Sequence, residues 1–165
     1  MIKNLNPNEG GNDKNILVVW DEKFATNIDL IDKQHRELVK LTNTLYQTCL
    51  GRDENTVKTA FKEALSRMVE YVRFHFNAET ELLKRANYPD YEAHKTMHDI
   101  LIKKILEAAQ DFNKGKHFVP NNFVRTLKEW VFGHIAFYDK DYAFFISNQK
   151  KKGLLTDKQI NGQGS

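Results

Sequence analysis

Cysteine, proline and long apolar runs are all scarce in this chain of 165 residues. Its single cysteine, Cys49, cannot form an internal disulfide bond, so the sequence fits a reducing compartment. The apolar run at residues 16–20 is too short for a signal peptide or a membrane span. We therefore expect a cytoplasmic protein with no membrane association.

An excess of one charge is also missing. The formal net charge is only +3, and lysine and arginine alternate with acidic residues along most of the chain. The densest basic run, residues 150–152, is too narrow for the broad basic face that nucleic-acid binding requires. The composition therefore argues against a nucleic-acid partner.

Only three prolines and eight glycines interrupt the chain, which leaves room for long helices. Apolar residues recur at spacings of three and four, and this periodicity predicts four helices. Short loops between them favour an all-α, antiparallel up-down-up-down bundle preceded by an N-terminal arm. The predicted helices cover about residues 32–50, 54–86, 91–113 and 122–148.

The predicted organisation has three parts. Residues 1–15 are polar and form a loose tail, residues 16–148 form the bundle with its arm, and residues 149–165 form a C-terminal tail. No alternation typical of a strand extends beyond residues 17–19. The arm contributes apolar residues to packing, and we assign it no chemistry.

Histidines occur at helical spacing. His94 and His98 are four residues apart, as are His75 and Glu79, so each pair shares one face of its helix. A lone histidine is more often an ordinary core or surface residue than a ligand, but two such pairs change that balance.

The histidines are also at matching heights in the predicted bundle. Counting about 1.5 Å per residue from the connecting loop, His98 and His134 differ in height by only about 3 Å. His35 matches His75 less well, so either the second helix extends beyond the first or its first turns are not helical. All four helices still offer ligand groups to one layer.

Burying so many titratable groups is costly unless a metal binds them. Five imidazoles and two carboxylates exceed the four positions of a tetrahedral zinc site and suit two metals bridged by carboxylates. Ligands rich in nitrogen favour iron over calcium or magnesium, although manganese, zinc or cobalt could also occupy such a site.

At this point the sequence resembles the hemerythrin family, in particular its bacterial single-domain members, over about residues 18–145. The resemblance rests on one histidine followed in order by H-x3-E, H-x3-H and H-x4-D patterns. A single element would be unspecific, whereas the ordered set is highly specific. The stretches that carry it are residues 20–21, 31–35, 75–79, 94–98 and 134–139.

The resemblance implies two iron ions per chain, bridged by an oxo or hydroxo group and two carboxylates. One iron would have three histidine ligands and the other two, so the second would keep an open position for dioxygen. The implied ligands are His94, His98 and His134 for the first iron, His35 and His75 for the second, and Glu79 and Asp139 as bridges.

Three details of the sequence depend on how the side chains are placed in three dimensions. Phe137 and Tyr138 stand where the family usually has smaller residues before the aspartate. His134 and Asp139 are five residues apart, about 140° around a helix, so either the helix has one wide turn of π type or it straddles the metals. We expect the uninterrupted, straddling helix, with Tyr138 turned away from the metals and towards a neighbouring helix. His117 falls in the predicted third loop and is left without a role.

Three classes of function fit such a site. The resemblance favours reversible dioxygen binding by a carrier, store or delivery protein, which is not an enzyme, and a monomer would suffice. The alternatives are a di-iron enzyme that removes peroxide or nitric oxide, and oxygen sensing or iron storage. Five imidazoles favour the lower oxidation states of iron and hence binding over oxidation. The protein that would receive the oxygen is unknown.

Overall fold

The structure, a computed structural model, describes residues 16–51, 53–114 and 120–161. Across these ranges it contains helices and no strand, as the all-α prediction expected. The predicted N-terminal tail and His117 lie outside the described residues. The helices are a short 3-10 helix (Glu22–Phe24), α1 (Asp29–Thr48), α2 (Glu54–Arg85), α3 (Tyr91–Asn113), α4 (Pro120–Lys151) and α5 (Asp157–Asn161).

Helices α1 to α4 form the predicted four-helix bundle. Helices that are neighbours in sequence pack together, and α4 packs back against α1 to close the ring. Asp53 caps α2 by accepting a hydrogen bond from the Thr56 amide at 2.7 Å. Asn87, with a φ of 50°, turns the chain between α2 and α3, a conformation that asparagine tolerates better than most residues. Among the described helices, none is long and apolar enough to cross a membrane.

The N-terminal arm is attached to the start of α1. The Asp32 carboxylate accepts hydrogen bonds from the backbone amides of Thr26 and Asn27 at 2.6 and 3.0 Å. This contact folds the arm back, and α1 begins at Asp29, three residues earlier than predicted. Phe24 is thereby buried against Phe132 of α4, with ring centroids 5.3 Å apart. The arm thus positions the backbone around Phe24 next to α1.

The structure also resolves the register of α2. Its first turns are helical from Glu54 onward, so 21 residues of α2 precede His75, whereas 13 residues of α1 follow His35. At 1.5 Å per residue, α2 extends about 12 Å beyond α1 at that end of the bundle. The poorer match in height between His35 and His75 therefore arises because the second helix extends beyond the first, which was one of the two explanations expected.

The C-terminal segment packs on the bundle. Helix α4 continues to Lys151, so the predicted tail 149–165 begins inside α4. After a turn at Gly153, which has a φ of 70°, Leu155 and Ile160 are buried. Arg85 donates a hydrogen bond to the Ile160 carbonyl at 3.0 Å, which ties α5 to the end of α2.

Two apolar clusters fill the bundle along its axis. The large cluster includes Phe61, Met68, Ile105 and Leu127, and the small cluster includes residues of α1, α2, α4 and α5. A polar layer of histidines and carboxylates lies between the two clusters. Along α1 and α3 the chain passes through the small cluster, then the polar layer, then the large cluster, and along α2 and α4 it passes through them in the reverse order. This placement isolates the polar layer from solvent.

Candidate metal centre

All seven side chains predicted as ligands meet in the polar layer. Each of them is buried, with at most 6% of its surface exposed. Every helix of the bundle contributes at least one of them. They are His35 on α1, His75 and Glu79 on α2, His94 and His98 on α3, and His134 and Asp139 on α4.

The seven residues divide into two overlapping groups. Within each group, the potential ligand atoms all lie within 4.8 Å of one another. One group has three histidines, and the other has two. Glu79 and Asp139 belong to both groups. The three-histidine group is His94, His98 and His134, and the two-histidine group is His35 and His75.

Distances in the three-histidine group match a coordination sphere. The Nε2 atoms of His98 and His134 are 2.9 Å apart. His98 Nε2 lies 3.1 Å from Glu79 Oε2, and His134 Nε2 lies 3.1 Å from Asp139 Oδ1. Two ligands at right angles around a metal, each bonded at about 2.1 Å, are about 3 Å apart. The four atoms are therefore spaced as neighbouring ligands of one cation.

Asp139 faces both groups with different oxygens. Its Oδ1 lies 3.1 Å from His134 Nε2 and 3.5 Å from His94 Nε2, whereas its Oδ2 lies 3.3 Å from His35 Nε2. Glu79 faces both groups with the same oxygen, because its Oε2 lies 3.1 Å from His98 Nε2 and 3.6 Å from His75 Nε2. The Asp139 carboxylate thus faces both groups, with one oxygen towards each.

Several polar atoms of this layer are buried without a hydrogen-bond partner in the described part of the chain. They include the Nε2 atoms of His35, His75 and His94, Oε2 of Glu79, and both carboxylate oxygens of Asp139. An unsatisfied buried polar atom costs about 1–3 kcal/mol, and more when it is charged. Six such atoms in one layer fit residues whose partner is a metal, since imidazole nitrogen and carboxylate oxygen are common ligands of transition metals.

Two of the histidines are oriented by partners that the sequence analysis missed. His75 Nδ1 lies 2.9 Å from Gln34 Oε1, and His35 Nδ1 lies 3.3 Å from the Phe24 carbonyl oxygen. Each acceptor takes a hydrogen bond from Nδ1 and thereby orients its ring so that Nε2 faces the layer. Gln34 is adjacent to His35, but its contact with α2 depends on packing that spacing alone does not reveal.

Tyr142 is a further residue of the layer without a predicted role. Its hydroxyl donates a hydrogen bond to Glu79 Oε1 at 2.5 Å, and its ring meets the His94 ring edge-on at 5.4 Å. Burial, together with the negative charges of Glu79 and Asp139, raises the pKa of Tyr142 well above its ordinary value. The phenol therefore stays protonated and remains a donor to Glu79.

Electrostatics keep the two carboxylates ionised. Burial by itself raises the pKa of Glu79, but His75 and the other neighbouring imidazoles outweigh it and hold the pKa well below the ordinary value. Burial likewise opposes ionisation of Asp139, yet His134 and His35 leave its pKa lowered. Ionised carboxylates are the form that binds cations.

The two histidines of the second group differ in protonation. Burial lowers the pKa of His75 to about 4, so its ring is neutral at physiological pH. Burial also opposes the charged form of His35, but the nearby carboxylates of Asp139 and Glu79 prevail and raise its pKa to about 9. A cation that binds His35 must therefore displace a proton, whereas His75 already offers a free lone pair.

Helix α4 is α-helical without a π segment from Pro120 to Lys151, as predicted for the five-residue spacing of His134 and Asp139. Tyr138 lies on the side of α4 that borders α3, as expected. It is not turned away from the site, however, because its ring stacks on the His134 ring at 5.3 Å. Phe137 is 72% exposed, so its bulk points away from the layer.

Comparisons with known proteins identify the family of this chain. The family model described as Hemerythrin HHE cation binding domain matches residues 26–143. The bacteriohemerythrin of Stenotrophomonas maltophilia is 34% identical over 129 residues, which cover 77% of this chain and 80% of that protein. The bacteriohemerythrin of Pseudomonas paraeruginosa is 29% identical over 145 residues, covering 88% and 91%.

Solved structures show the same architecture. A wild-type hemerythrin crystal structure matches with a TM-score of 0.71 and 27% identity, covering 77% of this chain and 95% of that one. The fold and site define a helical bundle with a buried cluster suited to metal binding. The chain belongs to the hemerythrin family, which binds non-haem iron.

Proposed function

We propose that this protein binds dioxygen reversibly at a pair of non-haem irons. His94, His98 and His134 bind one iron, His35 and His75 bind the other, and Glu79 and Asp139 bridge them together with an oxo or hydroxo group. The observation that carries the proposal is the division of the layer into a three-histidine and a two-histidine group that share both carboxylates.

The unequal division of the five histidines between the two groups leaves room for an exogenous ligand. Both groups share the carboxylates, so the iron bound by His35 and His75 has one protein ligand fewer than its neighbour. An octahedral ion with fewer protein ligands keeps a position open to an exogenous molecule. Apolar residues on both sides of the layer exclude bulk water, and this favours a small uncharged ligand such as dioxygen.

Binding is favoured over oxidation of a substrate because the donor set is rich in imidazole. Five neutral imidazoles stabilise ferrous iron, whereas carboxylate-rich sites stabilise higher oxidation states. Di-iron proteins of the ferritin type, by contrast, use four glutamates and two histidines. Dioxygen carriage, storage or delivery is therefore the function that the site supports best.

Two measurements test the proposal. Metal analysis of the purified protein should give two irons per chain, and a single zinc would contradict it. The visible spectrum of the reduced protein is then recorded without oxygen, after air and again after argon. A band that appears in air and disappears under argon indicates reversible binding, whereas irreversible bleaching or oxidation indicates a di-iron enzyme or detoxifying protein.

Two histidine variants separate the roles of the groups. His35→Ala removes a ligand from the iron with the open position and should abolish oxygen binding while leaving some metal. His94→Ala breaks the three-histidine group and should lose iron and stability together, since metal binding and folding are coupled. Equal metal content and equal melting in the two variants would contradict the assignment.

A further inference from the structure

One histidine of the two-histidine group depends on backbone that lies outside the four helices of the bundle. The carbonyl oxygen of Phe24 lies 3.3 Å from His35 Nδ1, and this contact is buried. Residues 25–28, here called the arm loop, lead from Phe24 to α1. His75, by contrast, is oriented by Gln34, a side chain on α1. Since loop backbone is more mobile than helical backbone, the His35 contact persists only if other groups hold the arm loop.

Asp32 holds the arm loop from the side of α1. Its Oδ1 accepts hydrogen bonds from the Thr26 amide at 2.6 Å and from the Thr26 hydroxyl at 2.7 Å. Its Oδ2 accepts a hydrogen bond from the Asn27 amide at 3.0 Å. Hydrogen bonds to an ionised carboxylate are stronger than those between neutral groups. One carboxylate, three residues before His35 on the same helix, therefore fixes two successive residues of the loop.

Lys140 holds the arm loop from the side of α4. Its amine donates a hydrogen bond to the carbonyl oxygen of Ala25, one peptide unit after the Phe24 carbonyl. Lys140 also follows Asp139 in the chain, and Asp139 Oδ2 lies 3.3 Å from His35 Nε2. The His35 ring therefore contacts at Nδ1 a backbone segment that α4 holds, and it faces at Nε2 a carboxylate that α4 carries.

We propose that Asp32 and Lys140 are positioning residues of the dioxygen site. By fixing the arm loop, they keep the Phe24 carbonyl on His35 and so strengthen the binding of iron by the two-histidine group. The inference rests on the proposed function, because it concerns the iron that keeps an open position. A hydrogen bond at Nδ1 fixes the ring and raises the basicity of its other nitrogen, and loss of such a partner typically weakens metal binding by about 10–100-fold.

The competing role for both residues is general stabilisation of the fold, since Asp32 also lies in the first turn of α1. NMR spectra of the histidine rings in the metal-free protein separate the two roles. Asp32→Asn replaces one acceptor oxygen by a donor, and Lys140→Met removes the amine but keeps an apolar side chain. In both variants the Nδ1 proton of His35 should exchange with water several-fold faster. The Nδ1 proton of His75 should exchange as before, because Gln34 still holds that ring.

Release of iron to a coloured ferrous chelator provides the second measurement, made on the reduced protein without oxygen. The more weakly bound iron should leave both variants at a chelator concentration about 10-fold lower than it leaves the unchanged protein, and release of the other iron should not change. Lys150→Met and Asp99→Asn are the matched controls. Lys150 is on the same helix as Lys140 and pairs with Asp157 at 2.5 Å, and Asp99 pairs with Lys95 at 2.8 Å. Both controls should behave as the unchanged protein does.

Equal acceleration of proton exchange at the His35 and His75 rings would assign Asp32 and Lys140 a general structural role and overturn the inference. Earlier release of both irons, or unchanged exchange at His35 in both variants, would overturn it as well. If Asp32→Asn does not fold, as far-UV circular dichroism would show, Lys140→Met decides alone. Metal analysis of the unchanged protein comes first. Fewer than two irons per chain would refute the proposed function, whereas exchange of the His35 proton in the metal-free protein still decides whether the arm loop holds that ring.

Discussion

The polar layer and the large apolar cluster are built from the same four helices, yet they depend on different interactions. In the large cluster, residues such as Phe61, Met68 and Leu127 are fully buried and need no partner beyond their neighbours. In the polar layer, equally buried atoms of His75 and Asp139 lack hydrogen-bond partners. One region is therefore held by apolar packing, whereas the other contains buried ligand atoms suited to a cation.

Removing the metal should have the largest effect on this comparison. A ligand present at 1,000 times its dissociation constant stabilises the folded state by about 4 kcal/mol, and the metal-free protein loses that contribution. Thermal unfolding with and without a chelator measures the loss. Amide hydrogen exchange should accelerate around His75 and His98 and change little around Leu127. Equal acceleration in both regions would show that the two are not independent.

Phe61→Ala tests the comparison from the other side. Truncating a buried phenylalanine costs about 3–5 kcal/mol, because it removes apolar contacts and leaves a cavity. Denaturant unfolding should show this loss of stability. The iron content of the folded variant should stay unchanged, since Phe61 lies in the large cluster. Loss of iron in proportion to the loss of stability would contradict the separation of the two regions.

Gln34→Ala should have a smaller effect, confined to the polar layer. It removes the acceptor that orients His75, and removing such a partner typically lowers metal affinity by about 10–100-fold. Competition with a chelator measures the affinity. Gln47→Ala is the control, because Gln47 is exposed on the same helix. Equal affinity in both variants would show that the Gln34 contact does not orient His75.

Phe137→Ala should have the smallest effect. The side chain is 72% exposed, and substitutions at such positions usually change stability by less than about 0.5 kcal/mol. Thermal unfolding checks this, and the visible spectrum should also be unchanged. A clear loss of stability would show that this aromatic residue is covered in solution.

The fold and the layer of ligand groups were accessible from the sequence because both follow from local spacing, whereas the division of the ligands into two groups came from the resemblance to the hemerythrin family. The pairs His75–Glu79 and His94–His98 share a helix face whatever surrounds them, and the straight course of α4 at Asp139 was also anticipated. The roles of Gln34 and Tyr142 were missed, since each contacts a residue of another helix. The packing of Ile160 was missed for a different reason, because a five-residue helix has too little periodicity to be recognised in a sequence.

The two-sided position of Asp139 has a consequence for the order of folding. Its oxygens face His35 on the first helix of the bundle and His134 on the last, so the cluster of ligand groups is complete only after α4 has docked. We expect contacts that form so late to be absent from the transition state for folding and to act on the unfolding rate. Bound metal is therefore expected to lengthen the lifetime of the folded chain while leaving the speed at which it folds nearly unchanged.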